Sequence, residues 1–437
     1  MVYSRFNTIY SCRGTIYLYN SISNSLMEIS DDLHQVLQKK DISENDFASS
    51  DPELLKTLLR AKILVDDDEI EMLKLRRIVL ERRYNPNYAS FTLLPTQNCN
   101  FSCPYCFETK KNTYLTDESI TRISKFINRL TKDIDRYHIT WFGGEPLMAS
   151  VQMKQLYEAI EKKDKKIHSS IITNGYLLNG KNIELLKSMN VSEIQITLDG
   201  SEETHNLRKN ISDNSCNVFQ KTIDNIIETS KADFATITLR VNIDKNNKEE
   251  FIPLKNALSE KIPNFGKKVF VAPAFIEESE YNKCDNELIC QLSQEQRTEF
   301  IAQLIHDHHY LHPLVYPSNM LYECPIRCNN SWVICPDGSL YKCWEVVGDE
   351  KYKVGSIDKN GIPCITDEKV LVQYLEGADP LTDSTCYNCN FYPACGGGCI
   401  HKRILNKYHG THFNTCIYAK ENPENFISLY KDYTKGM

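Results

Sequence analysis

The stretch CNFSCPYCFE, residues 99–108, places Cys99, Cys103 and Cys106 in a Cys-x3-Cys-x2-Cys pattern directly after a strand-like apolar run. Three thiolates on one tight loop can ligate three irons of a cubane cluster and leave the fourth iron without a protein ligand. Iron–sulfur electron carriers and structural zinc sites each take four protein ligands, so the missing fourth cysteine predicts an open, catalytic site. The alternative is a zinc site that a distant residue such as His138 completes.

Short apolar runs alternate with helix-length amphipathic segments on the carboxyl side of this loop. The runs begin at residues 91 (FTLLP), 138 (HITWF), 169 (SSIITN), 192 (SEIQITLD), 235 (ATITLRVN) and 268 (KVFVAPAF). Six strands with right-handed crossover helices have their carboxyl ends at one edge of a parallel sheet, where such folds gather their chemistry. Residues 89–275 are therefore predicted to form an α/β domain, built on a parallel sheet or on a partial (β/α)6 barrel.

Polar or glycine residues stand at or near the ends of four of these strands, facing one predicted cavity. They are Gly143, Gly144, Glu145, Thr173, Asn174, Asp199 and Asn242. Paired glycines let the backbone approach a ligand closely, and the Glu145 carboxylate can accept a hydrogen bond from a cationic amine. The alternative for the glycines is a plain strand-to-helix turn, and Thr173, Asn174 and Asp199 are common turn formers.

The cysteine pattern, with Tyr105 before its last cysteine and with WFGGEPL after the second strand, resembles the radical S-adenosylmethionine (radical SAM) superfamily. The resemblance implies that the open iron of a 4Fe-4S cluster binds SAM, which is cleaved reductively to methionine and a 5′-deoxyadenosyl radical. That radical abstracts hydrogen from the substrate. The strand-end residues would bind SAM. ETHNLR is similar to a family pattern in which an arginine, here Arg208, reaches the SAM carboxylate.

Ten of the 17 cysteines lie between Cys324 and Cys416. Their spacing, Cys-x9-Gly-x4-Cys, then Cys-x2-Cys-x5-Cys-x3-Cys and a final cysteine, resembles the SPASM domain, which holds two auxiliary 4Fe-4S clusters. The resemblance implies one cluster on Cys324, Cys328, Cys343 and Cys399 and another on Cys386, Cys389, Cys395 and Cys416. If Cys324, which lies outside the core pattern, is not a ligand, the first cluster has an open iron able to bind substrate.

Six cysteines remain outside these patterns: Cys12, Cys216, Cys284, Cys290, Cys335 and Cys364. They are interpreted as ordinary buried thiols, because free cysteine behaves as a small apolar side chain. Cys335 lies among the predicted ligands and is the best candidate for an alternative one.

Residues 1–88 are predicted to be a separate winged-helix-like domain. The runs FNTIYSC and TIYLYNS flank the turn Arg13-Gly14 and indicate a hairpin, and helical periodicity follows. This arrangement resembles the recognition module of ribosomal-peptide (RiPP) maturases, in which a leader peptide adds as a strand to a sheet edge. A structural cap is the alternative. Residues 276–323 are predicted to be a helical bridge, and residues 324–437 the Cys-rich SPASM domain.

The resemblance implies a radical SAM peptide maturase that installs a thioether or carbon–carbon crosslink in a precursor peptide. Sulfatase maturases, which generate formylglycine, share both domains, but they tend to carry an acidic residue at the position of Trp344. This chain has Glu345 one residue later, and Glu345 or Tyr341 is the candidate base. A multi-cluster electron-transfer protein, in which the clusters only carry electrons, is the remaining alternative.

Net charge and the distribution of apolar residues limit which partners and which cellular compartment we expect. A net charge of −7 over 437 residues gives no general attraction for nucleic acid. The N-terminal segment lacks a basic start followed by an apolar stretch, and no apolar run approaches the ~20 residues that span a bilayer. We therefore expect a cytoplasmic enzyme with reduced thiols and no membrane contact. Its expected partners are a precursor peptide with a leader and a flavodoxin- or ferredoxin-type reductant.

Overall fold

The structure is a computed structural model that describes residues 1–12, 14–39, 42–47, 52–209, 217–281, 285–286, 289–310, 324–421 and 423–435. The chain divides into two compact units, neither of them contiguous in sequence. We call them the terminal unit, comprising Met1–Asn85, Ser293–Asn329 and Gln373–Met437, and the sheet unit, comprising Pro86–Leu292 and Asn330–Val372. This division does not follow the linear boundaries expected from the sequence, which stay predictions about domains.

The strands are β1 (Val2–Tyr3), β2 (Asn7–Cys12), β3 (Thr15–Asn20), β4 (Ser25–Ile29), β5 (Leu64–Val65), β6 (Ser90–Leu93), β7 (Arg136–Trp141), β8 (Lys166–Thr173), β9 (Val191–Leu198), β10 (Thr236–Ile243), β11 (Val269–Phe275), β12 (Asp285–Asn286), β13 (Ile289–Cys290), β14 (Ser331–Ile334), β15 (Ser339–Tyr341), β16 (Gly355–Ile357) and β17 (Pro363–Ile365). The helices are α1 (Asp31–Leu37), α2 (Pro52–Arg60), α3 (Asp68–Arg83), α4 (Asp117–Leu130), α5 (Ser150–Ala159), α6 (Gly180–Ser188), α7 (Glu202–Lys209), α8 (Val218–Ala232), α9 (Phe251–Lys261), α10 (Gln294–His306), α11 (Glu368–Val372), α12 (Ser384–Tyr387), α13 (Tyr392–Cys395), α14 (Ile400–His409), α15 (Tyr418–Glu421) and α16 (Pro423–Lys435). Within the described ranges, no helix combines the length and apolar content required to cross a bilayer.

The sheet unit is built on a parallel sheet in which β6 to β11 are neighbours in chain order. These are the six strands expected from the sequence, and the α/β prediction is confirmed. The apolar face of α4 packs on this sheet, where the Phe126 ring meets the Phe91 ring edge-on at a centroid distance of 6.3 Å. Thr116 and Ser119 form a capping box that begins this helix. The carboxyl ends of the six strands therefore share one edge, as expected.

Four further strands extend the same sheet beyond β6, and the sequence analysis did not anticipate them. β14 runs parallel to β6, with Ser331 opposite Ser90 and Ile334 opposite Leu93, and β15 to β17 continue antiparallel. A parallel partner of β6 ends at the same edge as β6. Cys335, directly after β14, is thus placed at the carboxyl edge of the sheet.

The terminal unit contains the predicted hairpin and one strand that the sequence analysis missed. β2, β3 and β4 form an antiparallel sheet, so the hairpin is confirmed and β4 is added to it. The two faces of β3 have different neighbours. Leu18 packs with α1 and α2, whereas Tyr17 and Tyr19 pack with Phe391 and with α16. The first strands and the last helix of the chain therefore share one hydrophobic core.

Helix α3 packs in a second hydrophobic cluster of the terminal unit, with Phe6, Leu381 and Tyr392. Asp67 caps it by accepting from two backbone N–H groups of its first turn. Met72, Leu75 and Val79 are buried on one face, as the 3.6-residue period requires. Arg83 continues that face with a side chain that is 0% exposed, and it pairs with Asp379 at 3.0 Å.

Candidate active site

The loop that carries Cys99, Cys103 and Cys106 lies between β6 and α4, at the carboxyl edge of the parallel sheet. It is tightly turned, since the Cys106 N–H donates to the Cys103 carbonyl at 3.2 Å and the Phe101 N–H donates to the Cys99 sulfur at 3.4 Å. Burial raises the pKa of Cys99 to about 12. A thiol in such surroundings becomes a thiolate when a cation compensates its charge, which iron does. This donor set fits a metal–sulfur group.

Among the described residues, no group of three or more His, Cys, Asp or Glu side chains converges as the ligands of one metal ion do. A cubane cluster sets a different requirement, because each thiolate ligates a separate iron.

Gly143 and Gly144 connect β7 to this loop by close backbone packing. A Cβ on Gly143, whose φ is +117°, would lie 2.3 Å from the Thr96 carbonyl oxygen, and one on Gly144 would lie 2.1 Å from that of Asn98. The Glu145 N–H donates to the same Asn98 oxygen at 2.8 Å. The close approach expected of these glycines is thus made by the backbone that leads into the cysteine loop.

Glu145 is fully buried, and its carboxylate accepts three hydrogen bonds from the protein. The Thr173 hydroxyl donates at 2.8 Å, the Asn174 N–H at 2.8 Å and the Leu147 N–H at 3.0 Å. Burial raises the pKa of Glu145 to about 7 despite these bonds. The Asn174 side chain in turn donates to Asn100 of the cysteine loop at 2.9 Å. The structure therefore brings together the residues that follow β7 and β8.

Asp199, after β9, forms a buried triad with Tyr105 and Lys209. The Tyr105 hydroxyl donates to one carboxylate oxygen at 2.6 Å, and the Lys209 ammonium lies 2.8 Å from the other. Burial acts to raise the pKa of Asp199, but Lys209 and the hydrogen bonds outweigh it and the pKa is lowered. Lys209 also accepts the Ser102 N–H at its carbonyl, at 3.2 Å. Through this hydrogen bond and ion pair, the triad connects the cysteine loop to β9 and α7.

Lys209 is not among the predicted site residues, although its spacing from His205 is a signal in the sequence. Lys209 stands one helical turn after His205, so both lie on the same face of α7, and both are buried, at 2% and 0% exposure. Glu108, the last residue of the quoted stretch, is also not among the predicted site residues. Burial and the neighbouring Glu145 raise the pKa of Glu108 to about 8, so it is a protonatable group at this edge.

Arg208 and Asn242 lie at the same edge with partners from the protein. Arg208 is buried and pairs with Asp244 at 2.8 Å, and the Asn242 amide oxygen accepts from the Arg240 side chain at 3.2 Å. Their expected contacts with SAM stay predictions.

The two candidate bases differ in placement. Tyr341 is 1% exposed, and burial raises its pKa further above the usual range of a phenol. Glu345 follows β15 and is half-buried. Between them, Trp344 is 42% exposed and lies over Phe142 at a ring distance of 5.2 Å. Its greater exposure favours Glu345 over Tyr341 as the candidate base, and that role stays a prediction.

The terminal unit holds a second group of thiols: Cys386, Cys389, Cys395 and Cys416. Burial is the main cause that raises the pKa of Cys395, and Cys386 and Cys416 raise it further. Burial raises the pKa of Cys386 too, with a contribution from Cys389. Four thiols that repel one another as thiolates need cationic charge between them, so this set also fits a metal–sulfur group.

The other predicted set is divided between the units. Cys324, Cys328 and Cys399 belong to the terminal unit and Cys343 to the sheet unit, and their joint role stays a prediction.

Of the six cysteines outside both patterns, Cys335 is buried, Cys290 is half-buried and Cys364 is exposed. The expectation of a buried thiol is therefore wrong for Cys364. The side chain of Cys12, and Cys216 and Cys284 altogether, lie outside the described residues.

Comparison with known proteins agrees with this geometry. Residues 93–258 match the Radical SAM superfamily. The chain is 24% identical over 350 residues to a cysteine-type anaerobic sulfatase-maturating enzyme of Clostridium novyi (strain NT), an alignment that covers 73% of this chain and 89% of that protein. It is 26% identical over 246 residues to the radical SAM cyclopropyl synthase TigE of Paramaledivibacter caminithermalis, covering 49% and 52%.

Solved structures share the fold. Native anSMEcpe with bound AdoMet superposes with a TM-score of 0.60 at 18% identity, covering 80% of this chain and all of that one. Streptococcus suis SuiB bound to precursor peptide SuiA gives a TM-score of 0.50 at 18% identity, covering 92% and 96%.

The chain thus contains a radical SAM domain over residues 93–258 and is an enzyme. Over most of its length it is similar to a sulfatase-maturating enzyme. The prediction of a radical SAM enzyme is confirmed. The family match implies a 4Fe-4S cluster and SAM as cofactors.

Proposed function

We propose that this enzyme is a peptide maturase, which uses radical chemistry to install a thioether or carbon–carbon crosslink in a ribosomally made precursor. When bound, the cluster and SAM supply the 5′-deoxyadenosyl radical that abstracts a substrate hydrogen. Cys99, Cys103 and Cys106 would hold that cluster. Glu145, Thr173, Asn174, Asp199, Arg208 and Asn242 would bind SAM, together with the turn at Gly143 and Gly144.

The observation that carries this proposal is the sheet edge in the terminal unit. Within the described residues, β4 pairs only with β3, whereas the outer side of β2 is contacted by Asn390, which donates to Thr8 at 2.7 Å. An unpaired edge offers its backbone N–H and C=O groups to an added strand. A leader peptide would therefore align beside β4. The binding of precursor peptide SuiA by SuiB is consistent with a peptide substrate for this fold.

Hydrogen exchange tests the recognition role without removing any residue. Deleting residues 1–88 is unsuitable, because they share a core with α16. Binding of a leader peptide should slow exchange at the amides of residues 25–29 and leave those of residues 7–12 unchanged. A leader that binds with no added protection at residues 25–29 would refute the edge-strand role and support the alternative of a structural cap.

The full cofactor complement in this proposal is three 4Fe-4S clusters and SAM. The auxiliary clusters would use Cys324, Cys328, Cys343 and Cys399, and Cys386, Cys389, Cys395 and Cys416. Iron and acid-labile sulfide should each reach about 12 per chain. A flavodoxin- or ferredoxin-type protein would supply the electron.

SAM cleavage tests the cluster assignment. The anaerobic enzyme with reductant should form 5′-deoxyadenosine, and replacing Cys99, Cys103 and Cys106 together with Ala should abolish its formation while iron remains at the other sites. Cys364→Ala is the matched control, because this exposed cysteine belongs to no predicted set. Cleavage that survives the triple replacement would show that the active cluster has been misplaced.

Sulfatase maturation is the second candidate, and the alignment over 89% of a sulfatase-maturating enzyme favours it. Against it stands Trp344, at the position where such enzymes tend to carry an acidic residue. The products separate the two candidates. A crosslink removes two hydrogens from the peptide and creates no aldehyde, whereas formylglycine is an aldehyde that a hydrazide probe captures.

A further inference from the structure

Two cationic side chains in the terminal unit donate hydrogen bonds directly to sulfurs of the second thiol group. The Arg403 Nη1 group lies 3.3 Å from the Cys386 sulfur, and the Lys420 ammonium lies 3.6 Å from the Cys416 sulfur. These contacts involve opposite ends of the sequence pattern, its first and last cysteines.

Arg403 is held in place by contacts on its other nitrogens. Its Nη2 group pairs with Asp383 at 2.7 Å, and its Nε group donates to the Ala378 carbonyl at 3.2 Å. Its side chain is 11% exposed. A planar guanidinium fixed at three points keeps its remaining N–H aimed at the sulfur, which a flexible surface cation would not do.

Backbone groups complete the hydrogen bonding around these sulfurs. The N–H groups of Gly397 and Ile417 donate to Cys395. Gly397 has φ +85°, and a Cβ there would lie 2.1 Å from Pro380, so the turn that presents this N–H requires glycine. The chain thus places donors on three of the four thiols: two cations and two amides.

We propose that Arg403 and Lys420 are positioning residues that raise the reduction potential of the cluster on Cys386, Cys389, Cys395 and Cys416. Adding an electron makes a thiolate-ligated cluster more negative. Hydrogen bonds and positive charge at its sulfurs stabilise that reduced state. The inference rests on the auxiliary cluster in the proposed function, and it adds that this site is the more readily reduced because of these two side chains.

The test is a redox titration followed by electron paramagnetic resonance, in protein whose Cys99, Cys103 and Cys106 are replaced by Ala so that only auxiliary clusters respond. Arg403→Met and Lys420→Met should each shift one midpoint potential downward, the first by more because its contact is shorter and more buried. Arg403→Lys should recover part of the shift, because it restores the charge without the fixed fork.

Lys407→Met is the matched control. Lys407 lies on α14 with Arg403, and its ammonium donates to the Gly377 carbonyl at 2.6 Å rather than to a sulfur. Its loss removes the same charge and should leave both potentials unchanged.

Iron content separates the possible failures. Iron present at this site with unchanged potentials in Arg403→Met and Lys420→Met overturns the inference alone. Iron absent from the site in the parent protein overturns both the inference and the auxiliary cluster in the proposed function. If Arg403→Met itself loses the cluster, Lys420→Met still tests the inference. Lys420 contacts the Cys416 sulfur and takes no part in the ion pair between Arg403 and Asp383.

Discussion

Phe391→Ala should destabilise both ends of the chain at once. Phe391 is 3% exposed, and its ring lies 6.1 Å from that of Tyr19 in β3 and 5.7 Å from that of Phe426 in α16. Truncating a phenylalanine in such a core costs about 3–5 kcal/mol, because apolar contacts are lost and a cavity remains. The free energy of unfolding of the terminal unit should fall by that amount.

Denaturant titration measures the loss, and hydrogen exchange locates it. Protection should decrease together in residues 7–29 and in Pro423–Lys435, since both pack on the ring. Leu73→Ala is the control, because Leu73 is 51% exposed and such surface changes stay within about 0.5 kcal/mol. Iron is measured in parallel so that metal loss is not mistaken for the cavity. Loss of protection confined to residues 373–437 would refute the shared core and restore an independent N-terminal domain.

Three further predictions concern the sheet unit. Gly144→Ala should lower both Tm and iron content, because its Cβ would meet a carbonyl oxygen at 2.1 Å. The control Gly266→Ala, at a position with open space around the added Cβ, should keep its iron. Lys209→Met leaves the Asp199 carboxylate buried without its cation and should cost about 3–5 kcal/mol in denaturant titration; a loss under about 1 kcal/mol would contradict the ion pair. Burial and Lys209 lower the pKa of His205 from 6.5 to about 3, so the unfolded chain binds a proton that the folded chain does not. Stability should therefore fall as pH drops below 6.5, by up to about 1.4 kcal/mol per unit, and His205→Leu should flatten that slope; equal slopes would count against a buried neutral imidazole.

The parallel sheet was predictable because its signals are local. Each strand from β6 to β11 is an apolar run of strand length, and the crossover rule orders the strands without knowledge of contacts. The cysteine loop was predictable for the same reason, because its ligands lie within eight residues.

The rest depends on contacts between distant segments. β14 carries no signal that it pairs with β6, since strand pairing joins residues far apart in sequence. From the sequence alone, Lys209 is expected to be an ordinary surface lysine. The folded structure places its ammonium 2.8 Å from the Asp199 carboxylate. Arg403 lies between cysteines, but only the folded α14 shows that its guanidinium reaches the Cys386 sulfur.

The sequence by itself indicated the class of chemistry, because ligand type and short-range spacing specify which group a loop can hold. It also determined the parallel sheet, through local periodicity. Only the tertiary structure decided which segments fold together. Residues 1–85 and 373–437 belong to one unit, in which Tyr17, Tyr19 and Phe391 leave water by packing on each other and on α16. Burial of apolar surface acts between side chains without regard to their separation along the chain, and linear patterns do not record it.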